Sequence, residues 1–230
     1  MEYTRLAGET DDYREQREQL RRAELELIEH RERIAAMRRA LPVGPVVDDY
    51  VFLEGPADLD AGDDPVREVR LSELFTRPDR PDRSLIVYHL MYGKEETTPC
   101  PMCTMWIDGF NGIARHVTEN ADFVIVAAAD VPALRAHARD RGWSGLRLLS
   151  CVDNSFKFDL GSEDEKGVQD STISVFSRDP SGAVHHTYSA RPRAADDVDQ
   201  RGIDLCCATW HLLDLTPGGR GDWYASLSYD

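Results

Sequence analysis

The sequence predicts an α/β fold, a central mixed sheet flanked by helices, with a long helical arm in front of it. Three observations predict this: a charged N-terminal segment free of glycine and proline, an alternation of strand-like and helix-like apolar runs in the middle, and two late strand-like runs joined by a turn. With 230 residues, 41% of them hydrophobic, the chain can build one full core and still carry an appendage outside it. Its formal net charge of −15 argues against a nucleic-acid backbone or an anionic membrane surface as the main partner.

From Asp11 to Ala40 glutamate and arginine dominate, and no residue breaks a helix before Pro42. Leu20, Leu27 and Ile34 are spaced by seven, and Ala23, His30 and Met37 follow each by three. That is an a/d seam weakened by one small and one polar residue. Two arrangements fit it: a solvated helix laid against the domain, or an arm that pairs with a second copy to make a homodimer. Residues 1–45 are assigned to this arm and 46–230 to the domain proper.

Val46 to Leu53 reads as a short strand, Gly55 to Pro65 as a Gly- and Asp-rich loop, and Val66 to Leu74 as a strand followed by a short helix. After the charged turn Arg77 to Arg83, five elements alternate: strand Ser84 to Met91, helix Cys100 to Asn120, strand Phe123 to Ala129, helix Val131 to Arg141 and strand Leu146 to Cys151. This order implies parallel strands with helices on the faces. Thr172 to Ser177 and Ala183 to Tyr188 then form a hairpin around Arg178-Asp179-Pro180-Ser181-Gly182, and a helix from Ile203 to Leu213 closes the domain. A parallel half followed by an antiparallel hairpin and a helix is the thioredoxin-like arrangement.

The chemistry concentrates at Thr98-Pro99-Cys100-Pro101-Met102-Cys103, where a buried strand gives way to a helix. The residue before a proline is pushed out of the α region, and Pro101 has its φ set for the first helical position, so Cys100 is expected at the N-cap. Its sulfur then faces the free amides of Met102 and Cys103 at the positive end of the helix dipole, a setting that favours the thiolate. Cys103, in the first turn, can resolve a mixed disulfide formed at Cys100. Met102, Met105, Trp106, Phe110, Ile113 and Val117 make the apolar stripe of this helix. Gly109 and Gly112, each costing about 1 kcal/mol relative to alanine, predict a kink or break near Asp108 to Asn111.

Alternatives stand beside the redox reading. A zinc site wants four ligands, and the chain offers no second Cys-x-x-Cys; packing cysteines are the other possibility. Cys151 reads as a core residue or a distant resolving thiol, and Cys206 and Cys207 as core or partly exposed thiols. His89, at the end of the strand before the Cys loop, is either a core histidine or a modulator of Cys100, and His186 and Tyr188 divide in the same way. Trp106 is expected in the core, and Asp108 as a solvated or capping carboxylate. No glycine-rich phosphate loop and no serine-histidine-acid order stands out, which speaks against phosphoryl and acyl transfer. The absence of a signal-length apolar run and of a bilayer-spanning run predicts a cytoplasmic protein, where a Cys-x-x-Cys is more often catalytic than scaffolding.

Tyr13 to Pro42, Tyr88-His89-Leu90-Met91-Tyr92-Gly93, Cys100-Pro101-Met102-Cys103, Trp106-Ile107-Asp108-Gly109-Phe110-Asn111, Gly142-Trp143, Val175-Phe176, His186-Thr187-Tyr188-Ser189 and Leu213-Asp214-Leu215-Thr216-Pro217 together resemble the bacterial family called domain of unknown function 899. The resemblance spans nearly the whole chain. It implies a thioredoxin-like fold related in layout to the peroxiredoxin and alkyl hydroperoxide reductase branch, and with it a dithiol redox function. Two positions depart from that wider pattern. Ser171-Thr172 stand where thioredoxin proper has a cis-proline facing the Cys pair, and Cys206-Cys207 look particular to this chain. Thr97 precedes Cys100 by three residues, as a threonine does in peroxiredoxins.

The expected activity is therefore thiol-disulfide oxidoreduction with Cys100 as nucleophile and Cys103 as resolving thiol, needing no organic cofactor and no metal. Its substrate would be a protein or small-molecule disulfide, and its reductant an external thiol. A peroxide reductase, or a non-catalytic binding or dimerisation module, are the alternatives.

Overall fold

The computed structural model describes residues 4–77, 79–80, 83–196 and 201–229. By internal contacts the chain divides into two units, Met1–Pro42 and Val43–Asp230.

The first unit is built on helix α1, Asp11–Arg39. Thr10 caps it, its hydroxyl accepting the Tyr13 amide at 3.2 Å, while Asp11 and Asp12 in the first turn and Arg38 and Arg39 in the last complement the helix dipole. Arg21 and Arg22 pair with Glu18 one turn back and hold its carboxyl down at about 2, the Arg21 hydrogen bond being the largest cause. None of its residues is buried, and Leu20, Leu27 and Met37 of the seven-residue pattern are exposed.

The second unit is a seven-stranded mixed sheet. Its strands are β1 (Val51–Glu54), β2 (Arg67–Arg70), β3 (Leu85–His89), β4 (Asp122–Ala127), β5 (Arg147–Ser150), β6 (Thr172–Arg178) and β7 (Val184–Ala190), in the spatial order β2-β1-β5-β4-β3-β6-β7. β3, β4 and β5 are parallel, joined by α2 (Pro101–Thr118) and α3 (Val131–Arg141), and β6 and β7 add to β3 as an antiparallel hairpin. This is the thioredoxin-like arrangement, with β1 and β2 extending the far edge. The strand expected at Val46 to Leu53 begins only at Val51, and Val46 itself bridges to His185.

Because strand side chains alternate between faces, β3 serves two cores at once. Tyr88 and Leu90 join Cys103, Trp106, Ile107 and Phe110 of α2 on one side; Leu85 and Val87 join Phe52, Val124, Phe156 and Phe176 on the other. His89 is on the second side, stacked on Phe156 at 5.1 Å.

Two helical expectations are corrected. α2 runs unbroken from Pro101 to Thr118, because Gly109 and Gly112 lie on its open side, with no atom within 4 Å of where a Cβ would be. The opposite face buries Trp106, Ile107, Phe110 and Ala114, and a few glycine-sized losses of about 1 kcal/mol do not outweigh that burial. The closing helix is split: a 3-10 turn spans Asp204–Cys206, Cys207 is extended, and α5 covers only Ala208–Leu213. The break accompanies burial of Cys207 and Trp210, with the Trp210 ring edge-on to Trp106 at 5.5 Å.

At the far end of α2, buried Arg83 donates to the carbonyls of Thr118, Glu119 and Ala121 and to the Asp122 carboxylate, 3.1 Å away. Asp122 also accepts from Thr76, at 2.5 Å from its hydroxyl. A cation at a helix C-terminus with all three of its nitrogens hydrogen-bonded is a strong local fixing device.

Candidate dithiol site

The loop from Leu90 to Pro99 carries the chain from β3 to α2 and is pinned along its length. The Leu90 amide donates to Val126 O at 2.8 Å, the Ala129 amide to Tyr92 O at 2.9 Å, and the Cys100 amide to Met91 O at 3.0 Å. Glu96 closes a tight turn by accepting the Gly93 amide at 2.6 Å. Cys100 emerges as the N-cap of α2 with φ −61° and ψ 126°, and Pro101 opens the helix, the placement its neighbours in sequence dictate. Thr104, one turn on, is locked beneath it. Its amide and hydroxyl both bond Cys100 O, at 3.0 and 3.1 Å, and the hydroxyl also meets His137 Nε2 at 3.1 Å. Burial holds His137 below the usual imidazole range, so the neutral ring donates to the Thr104 oxygen while the threonine donates to Cys100 O.

The two sulfurs share one proton unequally. Cys100 is half-buried and held down at about 6, first by the hydrogen bond from Cys103 and then by the amides of Cys103 and Met102; burial and the Glu96 carboxylate act in the opposite sense. The sulfur makes no cap hydrogen bond of regular geometry. Cys103 is fully buried and pushed well above the usual thiol range, first by burial and then by its bond to Cys100. The arrangement favours thiolate at Cys100 and thiol at Cys103.

Behind Cys103 a buried chain of hydroxyls completes the site. The Tyr88 hydroxyl bonds the Cys103 sulfur, and Ser171 Oγ donates to the Tyr88 oxygen at 2.9 Å. Ser171, one of the two residues expected where thioredoxin proper has a cis-proline, reaches the dithiol through Tyr88. Tyr88→Phe removes a donor from the Cys103 sulfur and is expected to slow its attack on a mixed disulfide roughly tenfold while leaving Cys100 alkylation unchanged, as stopped-flow thiol release would report.

His89, weighed as a modulator of Cys100, is a core histidine. Its ring meets Ser162 Oγ at 2.7 Å and Ser174 Oγ at 3.1 Å, and burial drives its pKa well below the usual value. Cys151 is buried, donates to Ala127 O at 3.3 Å and is raised to about 11 by burial. Cys207 is buried beside Trp106 and Trp210, and Cys206 is exposed. Trp106 is in the core as expected. Asp108 is partly solvated and not a cap: it accepts from Trp143 Nε1 at 2.8 Å and pairs with Arg141, tying α2 to the end of α3. His186 bonds Ser189 Oγ at 2.8 Å on β7. Among the described residues no group of three or more His, Cys, Asp or Glu side chains is placed to hold a metal ion, and no helix is long and apolar enough to cross a membrane.

Sequence reasoning missed Thr104, His137 and Lys157 and gave Tyr88 no role. Tyr88 carried a usable signal: period-two alternation puts it and His89 on opposite faces, so one of the two had to face the helix of the Cys pair.

The model of the family described as "Bacterial protein of unknown function (DUF899)" matches residues 3–229. The chain belongs to this family. No curated protein matches it. Solved structures similar to this DUF899 member include peroxidoxin BcpB from Mycobacterium tuberculosis, at 16% identity over 75% of this chain and 98% of that one with a TM-score of 0.49. A PrxQ mutant from Xylella fastidiosa follows at 14% identity over 72% and 93% with 0.48, and Mycobacterium bovis AhpC at 17% over 80% and 98% with 0.46.

Proposed function

We propose that this DUF899 protein is a dithiol-disulfide oxidoreductase in which Cys100 is the nucleophile and Cys103 the resolving thiol. The observation that carries the proposal is the pairing itself: an accessible sulfur at a helix N-terminus, favoured as thiolate by a hydrogen bond from a buried thiol three residues on. Thiolate at Cys100 attacks one sulfur of a substrate disulfide and releases the other half as a thiol. Cys103 then gives up its proton, attacks Cys100 and expels the second half, leaving a Cys100–Cys103 disulfide. The substrate gains two electrons and the protein loses two, which an external dithiol or low-molecular-weight thiol returns. Stabilising the Cys100 thiolate favours the reduced form, so the Cys100–Cys103 disulfide is readily reduced.

The Glu96 carboxylate beside Cys100 opposes rather than binds an anion. That favours neutral disulfides over anionic ones.

The test is the alkylation rate of Cys100 against pH, followed by mass spectrometry of its peptide. In the wild type the rate is expected to rise through a midpoint near 6 and stay flat above neutrality, since a depressed pKa fills the thiolate at lower pH than in a free cysteine. In Cys103→Ala the midpoint moves up toward the free-cysteine range, because the largest stabilising bond is gone. A wild-type midpoint at the free-cysteine value would sink the proposal. Rapid sulfenic acid formation with hydrogen peroxide, and none of the exchange with hydroxyethyl disulfide, would replace it with a peroxide reductase.

A further inference from the structure

Lys157 is buried to 1% exposure in the short helix α4, Phe156–Asp159, and its Nζ donates to Leu90 O at 2.7 Å. Leu90 C=O and Met91 N–H are two ends of one planar peptide group. The Met91 amide faces the Cys103 sulfur and stabilises its charged form. A lysine ammonium and the buried thiol therefore stand at opposite ends of a single peptide dipole. The groups facing Lys157 come from every side: Cys151 at the end of β5, Cys103 in α2, Glu163 and Glu96 from two loops, and the neutral His89 ring from β3. Burial works against its charge, while these thiols and carboxylates support it.

Burying a lysine is costly, and a backbone carbonyl at a strand end needs no ammonium to satisfy it. We propose that Lys157 is a positioning residue for the resolving thiol: its ammonium polarises the Leu90–Met91 peptide, so that the Met91 amide holds the negative charge Cys103 develops as it loses its proton. The inference rests on the dithiol reading above. In the step concerned, Cys103 sulfur bonds to Cys100 sulfur, the bond between Cys100 and the substrate sulfur breaks, and the departing thiolate takes up a proton. Two cysteine sulfurs are oxidised to a disulfide and the substrate disulfide is reduced to two thiols.

The experiment uses the full chain in a Cys206→Ser background, which removes the exposed thiol, and the neutral disulfide 2,2′-dithiodipyridine, which releases one absorbing thiopyridone when it loads Cys100 and a second when Cys103 resolves. Lys157→Met is expected to leave the first release unchanged and to slow the second about tenfold at neutral pH, with its pH profile displaced upward by about one unit, since one unit is a tenfold change in thiolate. Lys157→Gln keeps a donor for Leu90 O without the charge and is expected to behave like the methionine variant. A second release with wild-type rate and pH profile in Lys157→Met overturns the inference. So does a glutamine variant that matches wild type, because the role is then a hydrogen bond alone. A wild-type protein that releases only the first equivalent overturns the dithiol reading itself.

Discussion

Cys100→Ser is expected to lose disulfide reduction by about 10³-fold or more, because the nucleophile itself is removed and nothing nearby replaces it. A serine hydroxyl stays protonated at neutral pH, whereas the Cys100 thiol, held down at about 6, is mostly thiolate there. Cys103 cannot take over. It is fully buried and pushed well above the ordinary thiol range, so a substrate disulfide neither reaches it nor meets a thiolate. Cys151 is also buried and raised to about 11. Cys103→Ser has a different signature: Cys100 still attacks, but the mixed disulfide is stranded, and intact-mass measurement should find the protein carrying one half of the substrate. The two variants together separate a dithiol enzyme from a one-cysteine reaction. Turnover persisting in Cys103→Ser with an added thiol would mean that resolution is intermolecular.

Arg83→Met is expected to be the most damaging substitution outside the site, costing about 3–5 kcal/mol, the range for breaking a buried ion pair from one side. The change leaves the buried Asp122 side chain with Thr76 alone and uncovers the carbonyls of Thr118 and Ala121 at the end of α2. For a unit of this size the melting temperature should fall by roughly 6–20 °C, as calorimetry would show. Arg83 is 6% and Asp122 5% exposed, so solvent screening does little to soften the loss. A drop of only a degree or two would mean that the pair is replaced by water or by a neighbouring arginine. The site lies at the other end of α2, so the Cys100 alkylation midpoint measured below the melting temperature should not move.

Much of this architecture was legible from local chemistry. Cys100 before Pro101 fixes both the extended backbone of the one and the helical start of the other, because the clash that excludes the α region is between adjacent residues. The alternation of apolar runs and helix periods between Ser84 and Cys151 prescribes the parallel half, since each such element must bury one face. Where local rules failed, longer-range packing had outvoted them: glycines that cost little on an exposed helical face left α2 whole, and burial of Cys207 and Trp210 divided a run that looked like one helix.

By itself the sequence determined the N-terminal helix, the order of elements, the place of the Cys pair and the polarity of Cys100 as the sulfur nearer the helix N-terminus. Only the tertiary structure decided what surrounds the pair. Tyr88 and Ser171 meet behind Cys103 because β6 pairs with β3, and Lys157 turns inward to Leu90 because α4 follows a strand two places across the sheet. In the run Ser155-Phe156-Lys157-Phe158 nothing marks that lysine as buried. Its environment is made by residues distant along the chain, and a pattern read over one or two turns holds no information about them.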